Sequence, residues 1–406
     1  MQKRSVRDLD VQGSRVLLRA DLNVPLRDGE VADDWRIRSS LGTIEYLIEK
    51  GAAVIVCSHL GRPGGQVDPA LSLTPVARHL TRLLSRPVAM VPALTGPDAL
   101  ATVDGLEPGQ IALLENLRYD SREEANDPGF ASELAALADS YVNDAFGTAH
   151  RAHASTEGVA HLLPAAAGLL LERELTALGS VFDAQGGKRA VISGGAKVSS
   201  KLALLQSVVQ HADVVCVGGA MANTFLLAQG VDIGASLAEP EMAAQASEIE
   251  QAARQHGCHL LLPVDGVIAH DPDNAPQARP INFAEERVPD GFRILDVGPR
   301  TIEHFSAAIA DAATVVWNGP LGLFEKNAFA GGTEAMAHAL AALEAQTIVA
   351  GGETVQAVNQ AGVADRISHI SSGGGAALEL LEGRDLPGVV ALPDATQRDA
   401  NPSESA

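Results

Sequence analysis

Five short segments in the first half of the chain carry arginine or histidine at or just beyond the end of an apolar, β-branched run. They are Arg19-Ala20-Asp21-Leu22-Asn23-Val24-Pro25, Arg36-Ile37-Arg38, Ser58-His59-Leu60-Gly61-Arg62-Pro63, Glu115-Asn116-Leu117-Arg118 and the stretch from Asn143 to His153 that contains His150, Arg151 and His153. Guanidinium forks pair two-by-two with carboxylate or phosphate oxygens. A single arginine is ordinarily half of a surface ion pair, whereas five such segments at equivalent strand ends point to one small, doubly anionic ligand. Asp21 and Asn23 add an acceptor and a donor suited to a ligand hydroxyl. The pair His150-x-x-His153 admits a metal-ligand reading, but no carboxylate or Cys partner is suitably spaced, so a phosphate-facing or structural role is the stronger alternative.

The second half carries a different chemistry. Ser193-Gly194-Gly195-Ala196-Lys197-Val198-Ser199-Ser200-Lys201 follows an apolar run and opens a helical pattern. Glycine lets the backbone approach a phosphate, a helix start supplies N–H donors, and Lys197 and Lys201 add point charges. The whole chain has only six lysines, so two within five positions stand out. Trp317-Asn318-Gly319-Pro320-Leu321-Gly322-Leu323-Phe324-Glu325 sets aromatic and apolar side chains beside a carboxylate, which suits a nucleoside. Ala350-Gly351-Gly352-Glu353-Thr354 puts an acid at a helix start. That acid is either a partner of the helix dipole or, beside the lysines, a metal-nucleotide contact. Ser371-Ser372-Gly373-Gly374-Gly375-Ala376 opens a further helix, Ala377–Leu381, and forms another cradle for an anion. There is no G-x-x-x-x-G-K-[ST], no complete G-x-G-x-x-G after a strand, no G-x-S-x-G and no H-E-x-x-H.

These loops need a frame, and the rest of the sequence supplies one. Strands are expected at Val16–Arg19, Ala53–Ser58, Ile111–Glu115, Ser140–Asp144, Ala190–Ser193, Asp213–Val217, Leu260–Val264, Thr314–Trp317 and Thr347–Ala350. Helical periodicity falls between them at Arg36–Lys50, Pro75–Leu84, Phe130–Ala138, Ser200–His211, Glu241–His256, Thr301–Ala312 and Thr333–Glu344. Alternating β and α units predict parallel sheets with helices on both faces, and ligands outside the carboxyl ends of the strands. Leu171, Leu175, Leu178 and Phe182 lie on one face of an amphipathic helix that divides the units. The fold class is therefore α/β, with two doubly wound, Rossmann-like domains joined by a hinge helix.

Composition agrees. The chain has 406 residues, 46% hydrophobic and only 3% aromatic, which suits an aliphatic core of helices and parallel strands. The formal net charge of −21 argues against a nucleic-acid partner and otherwise reads as solubility. No apolar run approaches the ~20 residues of a membrane span, and no signal peptide is evident at the amino end, so a cytoplasmic protein is expected. Cys57, Cys216 and Cys258 lack C-x-x-C spacing and read as buried free thiols.

The motifs in combination resemble the bacterial phosphoglycerate kinase family from about Arg15 to Val389. They are RADLNVP (19–25), SHLGRP (58–63), LLENLRY (113–119), NDAFGTAHRAHAST (143–156), GGAKVSSK (194–201), GGAMANTFL (218–226), WNGPLGLFE (317–325) and SSGGGAALELLEGRDLPGV (371–389). The resemblance implies an N-terminal domain, 1–170, that binds 3-phosphoglycerate and an interdomain helix, 171–186. It implies a C-terminal domain, 187–375, that binds Mg²⁺ with ATP or ADP. A segment, 376–393, then returns to the first domain, and a disordered tail is expected at 394–406. By motif, Asp21, Asn23, Arg36, His59, Arg62, Arg118 and Arg151 hold the substrate, with His150 and His153 nearby. Lys197, Lys201, Glu325, Gly351, Gly352, Glu353 and Thr354 serve the nucleotide. The family usually has Asp where Glu353 stands, which leaves the contact of Glu353 with Mg²⁺ open. Ser372 replaces a usual Thr, Ala20 a usual Val and Tyr119 a usual Phe.

The reaction expected from that resemblance is reversible phosphoryl transfer: 1,3-bisphosphoglycerate and ADP give 3-phosphoglycerate and ATP. The acceptor carboxylate is already ionised, so no general base is required, and charge repulsion is the problem to solve. Arg36, Lys197, Mg²⁺ and the Gly373, Gly374 and Gly375 helix start are expected to offset it when the domains close. A monomer without nucleic-acid or membrane partners is expected. Two other readings stand beside it: a two-lobed anion-binding protein without catalysis, and a nicotinamide-dependent oxidoreductase. The first leaves Lys197, Lys201 and Glu325 without a role, and the second lacks its glycine fingerprint.

Overall fold

The computed structural model describes residues 2–183, 186–273 and 277–395. The chain forms two compact units, Met1–Thr176 with Asp385–Ala406, and Ala177–Arg384.

The first unit is built on a six-stranded parallel sheet. From edge to edge its strands are Val88–Val91, Ile111–Leu114, Ala53–Cys57, Arg15–Arg19, Ser140–Asn143 and Ala165–Ala167. The inner strands Ala53–Cys57 and Ile111–Leu114 read as unbroken apolar runs because helices cover both faces. The helix Trp35–Glu49 shows how a covering face is made: Ile37, Ile44, Leu47 and Ile48 fall on one side and are buried. The first strand, Arg15–Arg19, is central, with Ala53–Cys57 on one side and Ser140–Asn143 on the other. Chain order therefore reverses at its flank, and loops leaving in opposite directions open a crevice at the carboxyl ends.

The second unit repeats the plan. Its six parallel strands are His259–Leu261, Val214–Val217, Arg189–Ser193, Thr314–Asn318, Gln346–Ala350 and His369–Ile370. Order reverses between Arg189–Ser193 and Thr314–Asn318, so the second crevice lies beyond Ser193 and Asn318. A separate antiparallel sheet joins Arg279–Asn282, Asp265–Ala269 and Arg293–Val297.

Every expected strand and helix coincides with an observed one to within a few residues. The antiparallel sheet, a small hairpin at Leu26–Arg27 and Glu30–Val31, and the edge strands Val88–Val91, Ala165–Ala167 and His369–Ile370 were not anticipated. Ala165-Ala166-Ala167 carries almost no strand signal, since alanine has low β-propensity. The expected divider is the α-helix Leu169–Gly179 continued by a 3₁₀ turn, Ser180–Phe182, and the boundary between units falls within it, after Thr176.

One expected boundary is corrected. Residues 376–384, placed above in the returning segment, belong to the second unit. The physical reason is burial: Ala376, Ala377 and Leu381 are buried, and their helix, Gly375–Leu381, packs on Leu202–His211. The return begins at Asp385, where Leu386, Val389 and Leu392 are buried in the first unit. There Asn143 Nδ2 donates to Gly388 O at 3.0 Å, and Gly388 N donates to Ala149 O at 2.9 Å. Of the expected disordered tail, residues 396–406 lie outside the described residues, as do 184–185 of the interdomain segment.

Candidate active site

In the first unit the loops at the crevice are fastened to one another through their polar atoms. Asn23 Oδ1 accepts from Gly61 N at 2.9 Å, and Gly61 O accepts from Arg118 Nη1 at 2.8 Å. Ser58 Oγ accepts from Leu22 N at 3.0 Å. Asn116, fully buried, donates to Leu60 O and Leu71 O while its Oδ1 accepts from Leu60 N and Arg118 N. That bonding fixes the 3₁₀ turn Leu117–Tyr119 and so aims Arg118. Arg36 enters from the first turn of Trp35–Glu49, and its Nη1 meets Asp21 Oδ2 at 2.9 Å.

This crevice is cationic, with His59 and Arg118 buried and Arg36 and Arg62 at its open side. His59 is buried, and burial together with Arg19, Arg118, Arg36 and Arg151 drives its pKa well below the usual value, so the ring is neutral. Burial and the charges of Arg118, Arg19 and Arg151 bring His153 down to about 4. Arg118 Nη2 is buried with no hydrogen-bond partner among the described residues, although Nε reaches Glu124 Oε1 at 3.1 Å. A buried guanidinium N–H without an acceptor is costly unless an anion arrives to take it. Arg151 Nε lies 3.3 Å from His150 Nε2, and Arg62 is exposed beyond Gly61.

Two residues of the expected cationic segments have other work. Arg38 pairs with Asp34 on the exposed side of its helix at 2.9 Å. Asp144 caps the helix Leu169–Gly179, accepting from Leu170 N at 2.9 Å and Leu171 N at 3.2 Å. Burial raises its pKa to about 6. The metal reading of His150 and His153 gains no support: among the described residues no three His, Cys, Asp or Glu side chains are grouped to hold an ion.

The second unit holds a cleft of about 620 Å³ walled by Gly195, Gly219, Leu226, Ala238, Leu295, Leu321 and Leu323, with Glu325 and Glu353 also on its lining. Two strand-end turns meet closely there. A Cβ on Gly194 would lie 2.0 Å from Pro320 O, so only glycine lets the Ser193 and Asn318 loops cross. Gly351, at φ +90°, turns the chain into the helix Gly352–Gln360, with Glu353 in its first turn. Thr354 is buried, its Oγ1 accepting from Gly319 N at 2.6 Å. Lys201 Nζ bonds Asn318 Oδ1, and burial lowers its pKa against the pull of Glu353 and Glu382.

Two expectations for this cleft are revised. The glycine turn at Gly194 and Gly195 does not open a helix directly: the helix begins at Leu202, with Lys201 as its cap and Lys197 exposed on the intervening loop. Nor, among the described residues, does an aromatic ring line the cleft. Trp317 is fully buried, donating Nε1–H to Gly319 O at 2.8 Å, and Phe324 packs on Ala330 and Ala357. The apolar walls come instead from leucine, alanine and proline. Gly373, whose N donates to Ser371 Oγ at 3.1 Å, and Gly374 precede the helix Gly375–Leu381.

The phosphoglycerate kinase family model matches residues 6–384. The chain belongs to that family. A phosphoglycerate kinase of Chloroflexus aurantiacus is 52% identical over 401 residues, covering 97% of this chain and 100% of that one. One of Moorella thermoacetica is 52% identical over 396 residues, with the same coverage. The solved phosphoglycerate kinase of Coxiella burnetii superposes with a TM-score of 0.89 at 39% identity, covering 96% of this chain and 98% of that one. Membership in the phosphoglycerate kinase family bears out the resemblance read from the motifs.

Several residues that support the two crevices were given no role from sequence. Glu123 and Ser155 lie buried behind the cationic crevice beside Arg19, the cation of the first segment, which is itself buried rather than open to a ligand, and Asn318 receives Lys201. Asp296, on the cleft lining, accepts from Gly332 N at 2.7 Å and Val297 N at 2.9 Å, and burial lifts its pKa to about 7. The one available signal was a charged or amide residue inside an apolar run, as in Leu295-Asp296-Val297 and Trp317-Asn318.

Proposed function

We infer that this chain transfers a phosphoryl group reversibly between 1,3-bisphosphoglycerate and ADP, giving 3-phosphoglycerate and ATP. The observation that carries the reading is a pairing. A cationic crevice and a glycine-walled apolar cleft occupy the switch points of the two sheets, and the family match runs through both. Neither the binding-protein reading nor the oxidoreductase reading draws support from any observation.

Each residue's part is assigned from the family resemblance and fits its charge. Arg118, Arg62 and Arg151 neutralise the phosphate of 3-phosphoglycerate, while Asp21, Asn23 and His59 orient its hydroxyl and carboxyl groups. Arg36 offers its fork on the acceptor side, and Lys197 an exposed point charge on the donor side. Lys201, Gly351, Gly352 and Glu325 hold the nucleotide, Thr354 fixes the Gly319 turn beside it, and the Gly374 backbone donates to the moving group from a turn that Gly373 N and Ser371 Oγ hold in place. No base is needed, because the acceptor is a carboxylate. The residues present fit a cation that arrives with the nucleotide: Glu353, on the cleft lining, would hold it through a hard carboxylate oxygen. Bound in that way, Mg²⁺ would neutralise phosphate charge. Acceptor and donor must meet, so closure about the ends of the dividing helix Leu169–Gly179 belongs to the same proposal, as do a cytoplasmic location and a monomeric state; the Ser371–Gly375 loop, also expected as a hinge, lies within the second unit.

Steady-state kinetics of two variants test it. Arg118→Ala should raise KM for 3-phosphoglycerate and leave that for ATP, and Lys201→Ala should do the reverse. Two variants that move the same constant would contradict the division of ligands.

A further inference from the structure

Behind the cationic crevice lies a line of polar groups that the reaction as described does not use. Glu123 and Ser155 are fully buried, and Arg19 nearly so. Glu123 Oε2 accepts from Ser155 N at 3.0 Å, and Oε1 accepts from the Ser155 hydroxyl at 2.6 Å. Both oxygens therefore act as acceptors; burial pushes the Glu123 pKa up, while Arg19 and the two Ser155 bonds favour the carboxylate. The Ser155 hydroxyl has spent its proton on Glu123, so its lone pair takes the Arg19 Nε–H at 2.8 Å. With Nε held, the guanidinium plane is fixed, and its Nη2 sits 3.1 Å from His59 Nδ1.

The last contact has one chemical solution. A guanidinium has donors and no acceptor, so His59 Nδ1 must supply the lone pair. The neutral ring then carries its proton on Nε2. We propose that Glu123, Ser155 and Arg19 are positioning residues that lock His59 as an Nε2–H donor to the acceptor substrate. The proposal rests on the reading of His59 as a substrate ligand. Arg19, Arg36, Arg118 and Arg151 all face the ring and disfavour its imidazolium form, so the donor persists without titrating through the working pH range.

The line explains why a buried carboxylate sits beneath an anion site. Placed at the ligand, Glu123 would repel it. Placed one residue behind, it orients Arg19 and offsets part of that buried charge. Glu123→Gln would put an amide N–H where one of two donors now points, and so would break the direction of the line at Ser155.

The test is nuclear magnetic resonance of the full-length protein with ring-¹⁵N histidine, the His59 signals being assigned by their loss in His59→Gln. The free wild-type protein should show one neutral tautomer with the proton on Nε2. A proton on Nδ1, or a mixture of tautomers, overturns the proposal without any need for a variant to fold. Ser155→Ala should release the ring into a mixture and raise KM for 3-phosphoglycerate about tenfold, roughly 1.4 kcal/mol. KM for ATP should not move. An unchanged tautomer in Ser155→Ala, or a parallel rise in both constants, would show that Ser155 serves the fold alone. Titrating wild type with 3-phosphoglycerate should shift the Nε2 signal. A fixed tautomer that ignores the substrate overturns the donor role together with the substrate reading of His59, whereas the former outcomes overturn only the line behind it.

Discussion

Arg36→Ala separates the ion pair that Arg36 makes from the role in transfer proposed for it. In the resting structure its Nη1 pairs with Asp21 Oδ2 at 2.9 Å, and the Asp21 side chain is only 7% exposed. Removing the guanidinium leaves that carboxylate without its cation, at a cost of about 1–3 kcal/mol. Domains have about 5–15 kcal/mol in hand, so the variant should stay folded at assay temperature. The kinetic effect should be larger. A cation acting on the moving phosphoryl group contributes on the order of 10³ or more in turnover, about 4 kcal/mol of transition-state stabilisation. A coupled spectrophotometric assay with each substrate varied gives kcat and both KM values, and a melting curve gives stability. The expected result is a thousandfold fall in kcat, an ATP KM near wild type and a melting point lowered by a few degrees. Arg36→Ala combined with Asp21→Ala should recover the stability and not the rate. If kcat holds and only KM for 3-phosphoglycerate rises, Arg36 is a binding residue and its role in transfer is refuted.

Three further outcomes are expected. Glu353→Gln should raise the Mg²⁺ concentration needed for half-maximal turnover, and Glu353→Asp should change it only a few-fold. A wild-type Mg²⁺ titration in Glu353→Gln would leave Glu353 as a plain helix-start acid. Asp296 is held at about 7, so its stabilising share is full below the usual carboxylate range and is lost as pH rises through that value. Asp296→Asn should therefore gain melting temperature relative to wild type at about pH 8 compared with about pH 5, and equal differences at both would contradict a buried, titrating Asp296. Cys57, Cys216 and Cys258 are buried, and burial pushes Cys57 up to about 12 and Cys258 to about 11. Intact-mass measurement should find no adduct with a thiol reagent until the protein is unfolded.

What could be read from sequence follows the strength of each local signal. The apolar cores from Val16 to Leu18 and from Val315 to Trp317 announce their strands because strands buried on both faces are largely apolar. The loops at the strand ends concentrate Arg, His, Lys and Gly, so Arg118, after Ile111–Leu114, and Gly194, after Arg189–Ser193, could be found in advance. Ala165–Ala167 could not, since its strand is made by its neighbours. The direction of Trp317 also escaped: an indole beside a glycine turn suits a nucleoside wall and a core equally, and only burial decides. Glu123 and Ser155 were silent for a related reason, because a buried carboxylate has meaning only through a partner 32 residues away. The end of the second unit was set too early, at residue 375, because a glycine-rich turn looks like a boundary. It is the burial of Ala376, Ala377 and Leu381 that carries the chain on to Arg384.

The central claim is that one chain carries both half-sites and joins their ligands in a phosphoryl transfer. The most direct measurement is ATP formation by the purified protein from ADP, Mg²⁺ and enzymatically generated 1,3-bisphosphoglycerate, read by luminescence, with Arg36→Ala alongside. The account predicts rapid ATP formation by wild type, close to background in the variant, and reversal when 3-phosphoglycerate and ATP are supplied. No ATP above the protein-free blank from a folded wild-type protein that still binds both ligands would contradict it.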